Sequence, residues 1–197
     1  DPRLCVMMFL EYGVKGLWMP LAGIFLVAEV SAGGLGFNET QKGMIIGIPL
    51  AIGAFSAPFI AGQLTDRRFA TQKFLGVMLF FAGILKWTTA YQTTFSMWLG
   101  ISIIFAILYV PTIALTNSLA MQHLSDPKSQ FPKVRLWGTI AWIVVSWVFP
   151  MIWLQTNLRI QALPPFITGD NVPDVTMRMI DSMKFAGGLS ILFAFFS

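Results

Sequence analysis

The stretch "MMFLEYGVKGLWMPLAGIFL", residues 7–26, is apolar along most of its length, and it is long enough to cross a membrane. A helix of about 20 apolar residues spans a hydrocarbon core of about 30 Å. Two opposite charges, Glu11 and Lys15, stand four residues apart inside this run. We therefore predict a transmembrane helix that carries two charged side chains at membrane depth.

The composition of the whole chain also favours a membrane protein. Of the 197 residues, 56% are hydrophobic and 11% are charged, whereas typical soluble domains have roughly 25% charged residues. The net charge is +4, but the thirteen Lys and Arg residues are scattered between apolar blocks. Because they form no basic face, we do not expect nucleic-acid binding. Cys5 is the only cysteine, which excludes an internal disulfide.

Six apolar blocks are predicted to form helices. The last block has about fifteen residues, fewer than a crossing requires, so we expect the sequence to stop inside its sixth helix. The polar stretch at residues 164–174 is predicted to be a loop, and Asn38 or Thr40 is expected to cap the second helix. We therefore expect residues 1–197 to form one all-α polytopic membrane domain. The predicted helices cover residues 4–27, 40–64, 73–91, 95–122, 133–155 and 183–197.

The positive charges predict the orientation, because Lys and Arg resist translocation. One side of the membrane is expected to hold Arg3 and the two connections that are richest in basic residues. These connections contain Arg67, Arg68 and Lys73, and Lys128, Lys133 and Arg135. The other side has basic residues mixed with acidic ones, namely Lys42, Lys86, Arg159 and Arg178. This bias predicts a cytoplasmic N-terminus in a cell (inner) membrane, with Trp87, Trp98 and Trp153 as anchors at the outer interface.

Glu11 and Lys15 allow two interpretations. A charge at membrane depth costs about 2.5 to 3.5 kcal/mol on insertion scales, so both side chains are expected to face the bundle interior or water. At a spacing of i, i+4 they can form a structural ion pair, or Lys15 can reach another carboxylate. Alternatively, they titrate or face a solute. Since Glu11 is the only carboxylate well inside the predicted helices, we select Glu11 and Lys15 as candidates for proton coupling.

The stretch "GQLTDRR", residues 62–68, resembles the motif between the second and third helices of the major facilitator superfamily. In that motif a Gly permits close approach, and an Asp–Arg pair latches neighbouring helices. The resemblance assigns these roles to Gly62, Asp66 and Arg67. Phe69 and Ala70 stand where the family has a further Gly and a basic residue. A generic charged turn is the alternative.

Two further stretches, "PTIALTNSLA" at residues 111–120 and "FPKVRLWGTIAW" at residues 131–142, resemble the nucleoside:proton symporter family of that superfamily. They correspond to its fourth helix, cytoplasmic loop and fifth helix. In that family the Arg and Thr of the fifth-helix motif face the central cavity and contact substrate, and an aromatic residue stacks nearby. The resemblance assigns these roles to Arg135, Thr139 and Trp142. The matching positions are Pro111, Thr112, Asn117, Phe131, Pro132, Arg135, Trp137, Gly138 and Thr139.

The spacing of Arg135, Thr139 and Trp142 supports this independently, because positions i, i+4 and i+7 lie on one stripe of a helix. Arg offers a fork of donors, Thr a hydroxyl and Trp a flat ring, which together can bind a ribose or a base. On the fourth helix, Tyr109 and Asn117 are weaker candidates for the same site. The alternatives are that Arg135 reaches the headgroups by snorkelling and that the fourth-helix residues only join helices by hydrogen bonds.

The signals of enzymes are missing from the sequence. His123 is the sole histidine and Cys5 the sole cysteine, so neither a His/Cys metal cluster nor a Cys–His dyad is expected. The chain contains no G-x-S-x-G, H-E-x-x-H or Walker motif. We predict a protein that is not an enzyme and that needs no cofactor or metal.

The resemblance implies the N-terminal six-helix half of a twelve-helix major facilitator fold. Its expected function is proton-coupled uptake of nucleosides by alternating access, with the solute near the midplane between the two halves. The expected partners are a small polar solute (a nucleoside or sugar), protons, the lipid bilayer and the other six-helix half. The alternatives are a proton-coupled sugar or oligosaccharide symporter, and a membrane scaffold or receptor that does not transport.

Overall fold

A computed structural model describes residues 2–65, 71–161 and 167–197, and the side chains of 61–65 lie outside that description. Within these ranges the chain forms a bundle of long helices with one small hairpin. The long helices are α1 (Pro2–Val27), α2 (Glu39–Thr65), α3 (Thr71–Thr89), α4 (Phe95–His123), α5 (Pro127–Trp153) and α7 (Asp181–Phe196). The short elements are strands β1 (Gln155–Ile160) and β2 (Ile167–Asn171), and helix α6 (Val175–Met179).

The lengths of the helices agree with a membrane protein. In the described part of the chain, five helical stretches are long and apolar enough to span a bilayer. The helix α3 has 19 residues, which is roughly 28 Å at 1.5 Å per residue. The predicted class, an all-α polytopic membrane protein, is therefore confirmed. The five stretches are Pro2–Val27, Glu39–Ile60, Phe95–His123, Pro127–Trp153 and Val175–Phe196.

The long helices pack mainly in pairs: α2 on α4, α3 on α7, and α1 on α5, with α3 also against α4. Glycines bring two of these pairs close together. A Cβ placed on Gly83 would lie 2.7 Å from the carbonyl oxygen of Gly187, and one on Gly53 would lie 2.9 Å from that of Ala106. Because lipid supplies no hydrophobic drive between helices, such close packing helps to hold the pairs together.

The start of α5 differs from the prediction. The helix begins at Pro127, not at residue 133, with the proline at its N-terminal turn, where its missing N–H costs no hydrogen bond. Lys128, Lys133 and Arg135 consequently lie inside this helix and not in a connection. Arg135 is thus about 12 Å along the helix from its start.

The loop predicted at residues 164–174 was wrong for residues 167–171. These residues form β2, which pairs antiparallel with β1, so that Gln155 opposes Asn171 and Ile160 opposes Ile167. The ladder satisfies backbone groups on both segments. A polar composition alone did not reveal this, because the pairing depends on two segments that are separated in sequence.

Two side chains that we expected at the outer interface are buried. Lys86 is 2% exposed and Trp98 is 1% exposed. The Trp98 indole N–H donates to the Gln92 carbonyl oxygen at 2.8 Å, so its predicted role as an interface anchor was wrong. Trp87 and Trp153 do remain exposed. Neighbouring helices cover Lys86 and Trp98, which the charge count along the sequence did not reveal.

The predicted cap of the second helix is confirmed at Asn38. Its side-chain Oδ1 accepts the backbone N–H of Gln41 at 2.8 Å. In return, the Gln41 side-chain oxygen accepts the backbone N–H of Asn38 at 3.1 Å. This reciprocal pair satisfies N–H groups at the start of α2, as in a capping box.

Candidate solute and proton site

Glu11 is buried in the bundle and bonded to α4. Its side chain is 1% exposed. One carboxyl oxygen accepts a hydrogen bond from the Thr112 hydroxyl at 2.9 Å, and the other accepts one from the Thr116 hydroxyl at 3.1 Å. Both threonines are completely buried. Each oxygen of Glu11 therefore faces a threonine hydroxyl, and the carboxyl group joins α1 to α4. The Thr112 hydroxyl is shared with the backbone carbonyl oxygen of Tyr109.

Tyr109 supports the same junction. Its hydroxyl donates to the backbone carbonyl oxygen of Glu11. Its ring stacks on Phe105, with 5.1 Å between the ring centres and an angle of 13° between the planes. Tyr109 is 3% exposed, and its hydroxyl is already bonded within the bundle. We selected it as a solute-binding residue, and in the structure its hydroxyl holds the backbone of Glu11.

Lys15 does not pair with Glu11, so the structural ion pair that their spacing allows is not formed. In the ranges that the structure describes, the ion pairs are Lys42 with Glu39 and Lys184 with Asp181. The Lys15 ammonium instead lies 5.8 Å from the ring centre of Trp142 on α5, within cation–π range. Glu11 and Lys15 therefore turn to different neighbours, α4 and α5.

Arg135 lies over an aromatic ring of the first helix. Its guanidinium carbon is 4.1 Å from the ring centre of Tyr12, a stacking geometry that suits the planar guanidinium. Gly138 leaves room for this contact, because a Cβ there would lie 2.6 Å from Tyr12 Cδ2. Sequence reasoning missed Tyr12. A signal was available, because Tyr12 lies about as far along α1 as Arg135 lies along α5.

Asn117 carries an acceptor that lacks a partner. Its side chain lies beside the Tyr12 hydroxyl. Its Oδ1 atom is buried and has no hydrogen-bond partner within the described ranges. Because buried polar atoms are nearly always bonded, such an atom calls for an explanation. A donor on a bound solute would supply one.

The remaining residues of the predicted stripe, Thr139 and Trp142, have different surroundings. Trp142 is half-buried beside Lys15, and Thr139 is exposed. The helices α1 and α5 pack closely here, since a Cβ on Gly16 would lie 3.2 Å from the carbonyl oxygen of Trp142. Arg135 and Trp142 thus contact residues of α1, whereas the side chain of Thr139 is exposed.

Lys86 is a buried charge that sequence reasoning assigned to the outer side. Its ammonium nitrogen lies 3.4 Å from the ring centre of Trp18 and 4.0 Å from that of Phe105. A lysine inside the predicted third helix was a signal for burial, but the charge count treated it as an orientation marker. The structure places Lys86 next to Phe105, on which Tyr109 stacks.

The predicted motif residues Gly62, Asp66 and Arg67 fall in residues 61–70, outside the side chains that the structure describes. Within the described ranges, no group of three or more His, Cys, Asp or Glu residues can hold a metal ion. The polar groups that the structure does bring together are donors and acceptors on α1, α4 and α5. Ionisable groups in such positions mark solute and ion pathways in membrane proteins.

A sequence profile described as "Nucleoside H+ symporter" matches residues 1–169 of the chain. The chain belongs to this family. This symporter-family chain is 37% identical over 142 residues to the "Putative nucleoside transporter YegT" of Escherichia coli (strain K12), covering 72% of the chain and 32% of YegT. It is 29% identical over 160 residues to the xanthosine permease of the same organism, covering 79% of the chain and 37% of the permease.

The symporter-family chain also resembles a solved structure. The crystal structure of the nucleoside transporter NupG superimposes with a TM-score of 0.75 at 19% identity, covering 98% of the chain and 42% of NupG. This likeness shows the fold and confirms the N-terminal part of a major facilitator architecture. The chain spans about a third of the length of its curated relatives. Those relatives are transporters and permeases, which confirms that the chain is not an enzyme.

Proposed function

We propose that the chain is the N-terminal part of a secondary active transporter that takes up a nucleoside together with protons by alternating access. Membership of the nucleoside H+ symporter family supports this proposal. The relatives named for nucleoside and xanthosine transport support it as well. Since the chain spans about a third of their length, the facing wall of the site would come from the rest of the protein.

One observation carries the solute part of the proposal: polar and aromatic side chains of α1, α4 and α5 converge inside the bundle. Arg135 stacks on Tyr12, Asn117 lies beside the same tyrosine, and Trp142 lies beside Lys15. Such a set has the chemistry that a nucleoside needs. The Arg135 guanidinium would donate to a ribose or base oxygen, and the free Asn117 Oδ1 would accept from a ribose hydroxyl or base N–H.

Trp142 and Thr139 complete the proposed solute site. The Trp142 ring would stack on the base, and the exposed Thr139 hydroxyl would bond to the ribose. Tyr109 would act indirectly, because its hydroxyl holds the backbone of Glu11. The proposal thus divides the predicted residues into four that contact the solute and one that positions α1.

Glu11 is the proposed proton-coupling group. The groups that face it are the hydroxyls of Thr112 and Thr116 and, through its backbone, that of Tyr109. Lys15 follows on its own helix but turns to Trp142. A threonine hydroxyl can both donate and accept. A proton on one carboxyl oxygen would therefore reverse one hydrogen bond without breaking the junction, and it would change the charge of the site by one.

That change of charge can couple protons to solute movement. A proton shifts an equilibrium between two states only by its different affinity for them. The access of water and of the other half to Glu11 would differ between the inward-open and outward-open states, since alternating access rocks one half of the transporter against the other around a central site. The orientation in the membrane is proposed from the sequence. Arg67 and Arg68 between α2 and α3, and Lys128 in the first turn of α5, support a cytoplasmic N-terminus.

Uptake in cells tests the function. The natural full-length protein, expressed in cells that lack their own nucleoside carriers, is expected to accumulate radiolabelled uridine, and more at acidic external pH. Arg135→Ala should abolish most uptake. Lys128→Ala removes an exposed positive charge from the same helix and should not change it. If a disaccharide competed for uptake and nucleosides did not, the proposed solute would be wrong.

A further inference from the structure

A small cavity between α1, α2, α3 and α4 is lined by two lysines. Its volume is about 90 Å³, and the share of one water in the liquid is about 30 Å³. Lys15 and Lys86 contribute positive charge, and none of the described lining residues carries a carboxylate. The cavity therefore has room for one small ion or functional group, and its charge would attract an anion.

Lys86 has unused hydrogen-bonding capacity at this cavity. Its nitrogen lies against the faces of Trp18 and Phe105, which attract a cation. A ring face, however, leaves the three N–H donors of an ammonium without a conventional acceptor. Within the described ranges no carboxylate pairs with Lys86. A buried lysine in this condition either gives up its proton or takes a counter-ion, and an anion beside it would favour the charged form.

A second donor at the cavity also lacks a partner. The indole N–H of Trp18 is buried and has no hydrogen bond in the part of the chain that the structure describes. Trp98 lines the same cavity, yet its N–H donates to the Gln92 carbonyl oxygen. Since buried donors are nearly always bonded, the unpaired N–H of Trp18 is independent support for a missing acceptor.

The polar groups at the cavity are therefore mainly donors. Besides the two lysines and Trp18, the lining includes the side chain of Ser102, whose hydroxyl can donate. The Tyr109 hydroxyl is already bonded to Glu11. An acceptor with negative charge can bond to such donors and also offset the charge that the two lysines carry when protonated.

We propose that this cavity binds an anion of the size of a halide, a carboxylate or a phosphate group. The anion is either free in solution or the ionised group of a transported solute. The second source rests on the proposed nucleoside site, which Lys15 joins to the cavity because it lines the cavity and contacts Trp142. In that case the ionised group would lie in the cavity and the nucleoside in the proposed nucleoside site.

Anion titration of the natural full-length protein in detergent tests the proposal. The buffer contains gluconate, which is bulkier than chloride or phosphate, and the ionic strength is held constant. Chloride or inorganic phosphate replaces gluconate in two arms, and uridine or uridine 5′-monophosphate is added in two others. Tryptophan fluorescence and the thermal unfolding temperature are recorded, because Trp18 and Trp98 line the cavity.

The wild type should respond in a saturable way to at least one anion. Lys86→Gln should weaken that response at least tenfold, and Lys15→Gln should weaken it several-fold. Lys128→Gln removes an exposed lysine and should respond as the wild type does. A response to chloride or phosphate assigns a free anion. A response to uridine 5′-monophosphate alone assigns the ionised group of a solute.

The proposal is overturned if no anion changes either signal in a wild type that unfolds cooperatively, or if Lys86→Gln responds as strongly as the wild type. If Lys86→Gln does not fold, the response of Lys15→Gln to anions tests the proposal instead. Lys15 is only half-buried, so its replacement should disturb the packing less. Uridine binding without any response to anions would leave the proposed nucleoside function intact and refute only the anion site.

Discussion

Two buried ionisable side chains, Glu11 and Lys86, have opposite kinds of surroundings. Glu11 has a threonine hydroxyl on each carboxyl oxygen, whereas Lys86 is enclosed by the rings of Trp18 and Phe105. The first site satisfies its charged group with hydrogen bonds from the protein. The second surrounds its nitrogen with aromatic rings and leaves its N–H donors without an acceptor. The comparison teaches that a buried group whose hydrogen bonds come from the protein suits a proton site or a helix contact. A buried group with unused donors suits the binding of a ligand.

The largest effect is expected from removal of the proton site. Glu11→Gln keeps the size and acceptor oxygen of the side chain but cannot exchange a proton. We expect it to lower proton-driven accumulation of solute more than tenfold and to remove the dependence of uptake on external pH. Uptake at several pH values measures this. Glu39→Gln, an exposed change at the start of α2, is the control, and an unchanged pH profile in Glu11→Gln would refute the assignment.

The next largest effect is expected when one hydrogen-bond donor to the Glu11 carboxyl group is removed. Thr112→Val or Thr116→Val preserves shape but removes a donor from a buried carboxyl oxygen. Each should destabilise the full-length protein by about 1–3 kcal/mol, the cost of an unsatisfied buried group. Thermal unfolding in detergent measures the loss. Thr88→Val removes an exposed hydroxyl that bonds only to its own helix and should have little effect. Equal melting temperatures for all three variants would contradict the comparison.

A third prediction asks whether Arg135 is held by a ring, as Lys86 is. Tyr12→Leu removes the aromatic face below the guanidinium, so Arg135 should lose its position and the KM for solute should rise several-fold. Tyr12→Phe keeps the face and removes only the hydroxyl beside Asn117, so it should change KM by less than the leucine variant does. Initial rates of uptake distinguish the two. A larger effect of Tyr12→Phe would mean that the hydroxyl, and not the ring, positions the site.

The smallest effect is expected on the free energy of unfolding when Lys86 itself is replaced. Lys86→Met loses the cation–π contacts but also the cost of burying an ammonium. These opposing contributions should leave the stability within about 1 kcal/mol of the wild type in chloride-free buffer. Thermal unfolding checks this beside the threonine variants. A loss as large as theirs would show that Lys86 is as fully satisfied as Glu11, and the contrast between the two sites would disappear.

Much of the fold could be predicted from the sequence, because a bilayer imposes a length on each apolar block. The ends of α1 and α4 lie within two residues of their predicted positions. Capping at Asn38 was also predictable, since its bonding partner Gln41 is three residues away. These features depend on neighbours along the chain, which is the information that a sequence displays.

The candidate site was predictable only in part. The spacing of Arg135, Thr139 and Trp142 placed them on one stripe, but it did not reveal that Tyr12 lies below the arginine. The spacing of Glu11 and Lys15 suggested an ion pair. The hydroxyls on α4 satisfy Glu11 instead, so Lys15 is free to contact Trp142. Such choices depend on how each helix is rotated against its neighbours.

The amino-acid sequence by itself determined that this chain lies in a membrane, how long most of its helices are, and which residues share a helix face. The tertiary structure alone decided that Glu11 bonds across to α4, that Lys86 lies between aromatic rings, and that β1 pairs with β2. The physical reason is that length and periodicity arise within one segment, whereas the partner of a buried charge is chosen by the packing of separate segments. In a low-dielectric interior, that choice decides whether the charge is satisfied by the protein or calls for a ligand.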